Sequence, residues 1–247
     1  MSSQAALAAD ICVLSAGAIE PGIRPALAAF QATSGHHVTL TFATAPQICQ
    51  RIEAGAAFDV VIAPPAVLDA LAQASKISAD KVQRVAIGRV GVGVAVRSGA
   101  PLSELSSAAS LKRELLAADS LVFNRASTGA HFETVLKTLG IEAQAAAKTT
   151  RYPDGASVME RVLKGTGREL GVGVITEFLL LRDKGLQLAG PLPPEVQNFT
   201  SYAAVAAAVA AVAGRAQASD ATAALLSHLR SPATQAGFVA AGIAPER

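Results

Sequence analysis

The chain has 247 residues, 51% hydrophobic and 16% charged, enough to bury a substantial core in one large or two small domains. A net charge of +2, scattered basic residues and 4% aromatic content leave neither the basic surface nor the stacking platforms that a nucleic-acid partner requires. The two cysteines, Cys12 and Cys49, have no CxxC or Cys/His spacing, so no metal site is expected and both read as buried free thiols.

Ahead of the first element, Ala6-Leu-Ala8 followed by Ala9-Asp10 has the small-x-small form of a signal-peptidase site, although no basic segment or long apolar run precedes it. Residues 1–9 are therefore expected to be the remnant of a removed leader, which implies a periplasmic location. The longest alanine-rich apolar run, Ala203 to Gly214, is shorter than the roughly 20 residues of a membrane span.

In chain order, a strand near 11–15 enters Ser15, Ala16, Gly17 and Ala18. These small residues open a helix and let a ligand approach bare backbone N–H groups at its positive end. A second copy follows, where the strand 37–43 enters Thr44-Ala45-Pro46 before a helix over Gln47 to Ala54. After a strand at 59–63, the segment 84–96 carries Gly88, Gly91 and Gly93, which weaken it as a core strand and mark a crossing between domains that can bend.

A third copy lies at 120–124, where the strand gives way to Arg125, Ser127, Thr128, Gly129 and His131 and a helix continues to Leu139. Further strands are expected near 148–151, 170–175 and 186–189. Arg151 closes one of them before Asp154 and Gly155, and Thr176 and Glu177 follow another. His36, His37 and His228 read as solvent-facing or core hydrogen-bonded groups, so His131 alone falls in a candidate ligand loop.

Alanine propensity favours a helix over Tyr202 to Ala213, ending at Gly214, although the segment is ambiguous. Two short helices, Ala218 to Leu229 and Pro232 to Ala241, close the chain. The strand and helix alternation predicts a parallel α/β architecture, in which ligands sit beyond the carboxyl ends of strands. The three small-residue turns are thus expected to converge on one small molecule.

An ordered series of segments carries a family resemblance: Val13 to Ala18, the Phe42-Ala-Thr-Ala-Pro46 turn, Ile52-Glu-Ala-Gly55 with Asp59-Val-Val-Ile-Ala63, and Leu229 to Phe238. Together, from about Ala9 to Ala244, they resemble the periplasmic molybdate-binding proteins of ABC transporters. The resemblance implies a two-lobed type II periplasmic-binding-protein fold with the ligand in the cleft between lobes and hinge closure around it. It implies lobe one at 10–90 plus 202–247, lobe two at 91–201, and Tyr202 to Ala213 as a second crossing strand despite its helical propensity. It also implies a monomer with no cofactor, whose partners are a small anion and the membrane component of an ABC importer.

The departures from that family bear on the ligand. Its molybdate binders use a serine in the first turn, one in the second and a tyrosine after a late strand, and these positions align here with Ala18, with Ala45 or Thr44, and with Thr176. Hydroxyl donors are lost or moved, and charges stand nearby instead: Arg125, Arg151, Asp154, Glu20 and Glu177. An arginine fork suits a carboxylate, which points to a di- or tricarboxylate. Arg151 has the alternative of pairing with Asp154 or another surface acid, and Glu20 and Glu177 that of facing solvent in helix first turns.

Two functions are consistent with this reading. One is a solute-binding protein that performs no chemistry. The other is an aconitate isomerase, since some of these enzymes look similar to molybdate-binding proteins. Arginines would then hold the carboxylates, and His131 or Glu20 would move the allylic proton.

Overall fold

The computed structural model describes residues 8–101, 105–208 and 216–246. Its elements run β1 (Asp10–Ala16), α1 (Glu20–Ser34), β2 (His37–Ala43), α2 (Ala45–Glu53), β3 (Val60–Ala63), α3 (Pro65–Gln73) and β4 (Val85–Arg97). Then follow α4 (Ala108–Ala117), β5 (Ser120–Asn124), α5 (Ser127–Thr138), α6 (Glu142–Ala146), β6 (Thr149–Tyr152), α7 (Gly155–Lys164), β7 (Glu169–Val174) and α8 (Ile175–Leu179). The chain ends with β8 (Leu186–Pro191), β9 (Phe199–Ala206), α9 (Ala216–Arg230) and α10 (Pro232–Ala240).

Two compact units result. The first joins the chain up to Arg89 to the chain from Ser201 onward, and the second is Val90–Thr200, so the boundaries fall inside β4 and β9.

The first unit carries strands in the order β2-β1-β3-β9. Its centre is apolar on both faces, with Ile11, Val60, Val61 and Ile62 sealed from solvent, as expected for parallel strands covered by helices. Helix α1 turns Ile23, Leu27 and Phe30 inward and stops at Gly35, which takes the left-handed conformation (φ 72°) of a helix C-terminus. Helix α10 packs on it so closely that a β-carbon at Gly22 would lie 2.8 Å from the side chains of Phe238 and Ile243.

Residues 1–7 of the expected leader remnant lie outside the described residues. Ala9 is buried, with its N–H on His36 Nδ1 (3.2 Å) and its carbonyl accepting from His37 N–H (2.9 Å).

In the second unit β5 pairs in parallel with β6 and β7, and β4 is antiparallel to β7 and β8. Side chains alternate across this sheet with the period of two that a strand imposes. Leu121 and Phe123 join Leu111, Phe132 and Leu136 on one face, while Val122 joins Val158, Val162 and Phe178 on the other. Helices thus cover both faces.

Two expectations are corrected, and a third, the alanine-rich strand, holds through Ala206. The sheets are mixed rather than parallel: strands linked by helical crossovers are parallel, but β4 and β9, which carry the chain between units, run antiparallel to β7 and β8 and to β3. The alanine-rich stretch is strand through Ala206 against its helical propensity, because its pairing with β3 buries Ala204 and Val205; residues 209–213 of the expected strand lie outside the described residues. The two free cysteines are half-buried instead of sealed.

Gly88, read as a bending point, has a positive φ of 129° and makes room for a neighbouring backbone. A β-carbon there would lie 2.5 Å from the Ala244 carbonyl oxygen, and Arg89 exchanges two backbone hydrogen bonds with Ala244 (2.7 and 2.9 Å). Among the described residues no helix is long and apolar enough to cross a membrane, and no cluster of three acidic, histidine or cysteine side chains could hold a metal.

Candidate functional site

In the first unit, β1 pairs with β2 to Ala16↔Ala43 and with β3 to Ser15↔Ile62, which sets three strand ends side by side. Ser15, Ala16 and Ala18 are buried and Gly17 is half-buried. The Ser15 hydroxyl donates to the Ala16 carbonyl (3.1 Å), so it is already committed to the backbone.

Glu20, in the first turn of α1, accepts from Arg24 Nε at 2.5 Å, and that guanidinium also lies 4.9 Å from the Phe42 ring centroid. Thr44 caps α2, and its own N–H donates to Gln47 Oε1 (2.9 Å), which starts the helix at Ala45, earlier than expected. The third strand end, Pro64-Pro65, has no N–H to offer.

In the second unit the ends of β6, β5 and β7 also lie side by side, with Asn124↔Tyr152 and Phe123↔Val172 in register. At the head of α5 the buried Asn124 turns its Oδ1 to the N–H groups of Ala126 (3.0 Å) and Gly129 (3.1 Å). The backbone N–H of Arg125 donates to the Tyr152 carbonyl (2.8 Å), while its side chain is exposed and, among the described residues, pairs with no acid. Ser127 is exposed, and Thr128 and Gly129 are buried under the turn.

His131 follows one turn later. Its Nε2 lies 2.8 Å from the Val196 carbonyl oxygen; a carbonyl only accepts, so Nε2 carries a proton, and in the neutral ring the lone pair is on Nδ1.

The neighbouring turn is chemically opposite. Asp154 caps α7 by accepting from Ser157 N–H (2.8 Å), and a β-carbon at Gly155 would lie 1.9 Å from Glu177 Oε2, so a second carboxylate sits against the same helix start. Two carboxylates fill this positive helix end, where an incoming anion would meet repulsion. Arg151 pairs with Glu133 through Nη1 at 2.8 Å rather than with Asp154, and lies 5.8 Å from the Phe123 ring centroid. Thr176 is fully buried in the five-residue α8.

Of the expected positions, then, Arg125, Ser127, Thr128 and Gly129 come together on one helix start, whereas Arg151, Asp154 and Gly155 are occupied by other partners. Sequence reasoning passed over Asn124. Its signal was present: an asparagine ending a strand, three residues before a helix, in the class of side chains that bond locally to backbone N–H groups.

Comparison with known proteins places these features. A model of the family described as bacterial extracellular solute-binding protein matches residues 11–244. An aconitate isomerase from a Pseudomonas species is 26% identical over 243 residues, spanning 95% of this chain and 87% of that protein.

Among solved structures, the periplasmic molybdate-binding protein of Azotobacter vinelandii aligns with a TM-score of 0.76 at 14% identity, covering 96% of this chain and 100% of that one. The sulfate-binding protein SubI of Mycobacterium tuberculosis H37Rv aligns with a TM-score of 0.73 at 15% identity, covering 96% and 87%. The fold is the mixed α/β fold of type II periplasmic binding proteins.

Proposed function

We propose a function for this chain from one premise: it belongs to the bacterial extracellular solute-binding protein family. It captures a small organic anion carrying two or three carboxylates, in preference to molybdate, outside the cytoplasm and hands it to an ABC importer. The observation that carries this reading is Arg125, exposed and without an acidic partner among the described residues, at the head of a helix whose first turn faces the same strand edge. A planar guanidinium matches a carboxylate with two parallel hydrogen bonds, and the dipole of α5 adds to the attraction. Ser15, the hydroxyl residue of the first turn, has its donor already used, which weakens the case for a hydroxyl-lined oxyanion site.

Calorimetric titration of the purified chain with cis-aconitate, trans-aconitate, citrate, molybdate and sulfate tests the reading. Saturable binding of a carboxylate, tighter than that of molybdate, is the expected result. Tight molybdate binding with no heat from any carboxylate would overturn it.

A second reading, aconitate isomerase, is favoured by the near full-length likeness to a protein of that name. In it, a base removes an allylic proton from the tricarboxylate and returns it to the other end of the three-carbon system. His131 would act through Nδ1, its free lone pair; Glu20 would first have to leave Arg24. Incubation in deuterated water distinguishes the readings: an isomerase puts deuterium into aconitate and interconverts its isomers, and a binding protein does neither.

A further inference from the structure

The head of α5 holds one more donor than the arginine and the helix backbone. Asn124 is 7% exposed, and its carboxamide is oriented by chemistry: both neighbours, Ala126 N–H and Gly129 N–H, are donors, so the oxygen must face them and the NH2 must face the other way. Among the described residues that NH2 makes no hydrogen bond, and it is not one of the sealed side-chain nitrogens that lack a partner. The NH2 of this nine-tenths buried amide is thus held in one place by the two backbone bonds of its oxygen, with its donor edge open to solvent, where a ligand oxygen can take the place of water.

The starts of α5 and α7 also differ in a telling way. Helix α7 is capped by the carboxylate of Asp154, whereas α5 is served by a neutral amide, which bonds the backbone without cancelling the positive end of the helix. The N–H groups of Ser127 and Thr128 remain without hydrogen bonds among the described residues.

We propose that Asn124 is a ligand-binding residue: its NH2 donates to an oxygen of the bound anion, beside the guanidinium of Arg125 and the N–H groups of Ser127 and Thr128. The assignment rests on the reading that the α5 turn receives the anion. It makes the site one of fixed donors, selective for a ligand with several acceptor oxygens and no proton to offer at this point.

The test compares wild type, Asn124→Asp and Asn124→Ala for thermal unfolding and for calorimetric binding of the five anions named above. Aspartate keeps an oxygen for Ala126 and Gly129 and turns the donor edge into a second anionic oxygen. Asn124→Asp should therefore unfold near the wild-type temperature yet bind about 100-fold more weakly, with most of the loss persisting at about 0.5 M salt. Asn124→Ala should lose about 10-fold in affinity together with some stability.

In wild-type protein the Asn124 side-chain NH2 resonances should shift on titration with the ligand, a readout that needs no variant to fold. Unchanged affinity in both variants, or NH2 resonances that do not move at saturation, would overturn the proposal. Wild type that prefers molybdate removes the carboxylate reading and leaves Asn124 to be tested on molybdate. Wild type that binds none of the five removes both.

Discussion

Gly129 lies directly beneath the backbone carbonyl of Asn124: a β-carbon at 129 would be 1.8 Å from that oxygen and 3.0 Å from the ring of Phe123. Neither neighbour can retreat, since Phe123 is sealed in the core and Asn124 ends a paired strand. The end of β5 and the first turn of α5 are therefore one rigid piece. Gly129→Ala should cost about 3 kcal/mol and, by displacing the turn, weaken anion binding as well. Gly237, in the exposed part of α10, has open space on its β-carbon side, with nothing within 4 Å of where a methyl would stand, and Gly237→Ala should stabilise by about 0.5–1 kcal/mol. Denaturant unfolding of the two variants checks both signs.

The two arginines should separate in a binding experiment. Arg125→Ala should cost about 2–5 kcal/mol of anion affinity, with Arg125→Lys a poor rescue because a point charge replaces a planar fork. Arg151 is held by Glu133 in a half-exposed pair, so Arg151→Ala should cost at most about 1 kcal/mol of stability and less affinity than Arg125→Ala. Calorimetry on both variants, with equal losses or a reversed order, would contradict the assignment of the α5 turn.

How much of this was legible in the sequence depended on the range of the interaction. The strands at 37–43, 120–124 and 186–189 and the helix that continues to the region of Leu139 follow from local patterns, and the structure has them there, whereas the helix expected from Gln47 begins two residues earlier, at Ala45. The strand through Tyr202–Ala206 was not legible from alanine propensity; it needed the resemblance, because pairing with β3 is a contact across more than a hundred residues. Arg151 illustrates the limit at the site. Its candidate partners were named by type, but the choice of Glu133 depends on how α5 lies over β6, which no spacing along the chain encodes. Asn124 was the opposite case, a local hydrogen-bonding signal that was readable and passed over.

Cys49 should be a sluggish thiol. Burial first, and then the charge of Glu53, push its pKa above the ordinary cysteine value, so less thiolate is present at a given pH. Alkylation followed by peptide mass spectrometry should give a rate profile for Cys49 displaced to higher pH. Glu53→Gln should move it part of the way back. A profile at or below that of a free cysteine peptide would refute this.

Asp69 provides a check at acidic pH. The Arg84 guanidinium, at 2.8 Å, and then the Lys81 ammonium, at 3.3 Å, hold its carboxylate below the usual range. Because the folded-state pKa is the lower one, the stabilisation is present above the unfolded value of about 3.9 and is lost as pH falls through the folded value. Asp69→Asn should therefore be slightly less stable than wild type at neutral pH and equal to it in strong acid. Urea midpoints at the two pH values measure the difference, which is small because the pair is solvent-screened.

The placement of the unit boundaries inside β4 and β9 has a bearing on the order in which the protein is made. The unit at Val90–Thr200 is one uninterrupted stretch, whereas the other needs β9 to pair with β3 and α10 to cover α1. A chain emerging from its amino end can complete the inner unit while the outer one still lacks its last strand and closing helix. Until residues past Ser201 arrive, β3 has no partner on its open side among those strands and the apolar face of α1 around Gly22 is bare. The nascent protein thus carries an exposed strand edge from the time β3 emerges until β9 follows it more than a hundred residues later, and it is over that interval that it most needs shielding from aggregation.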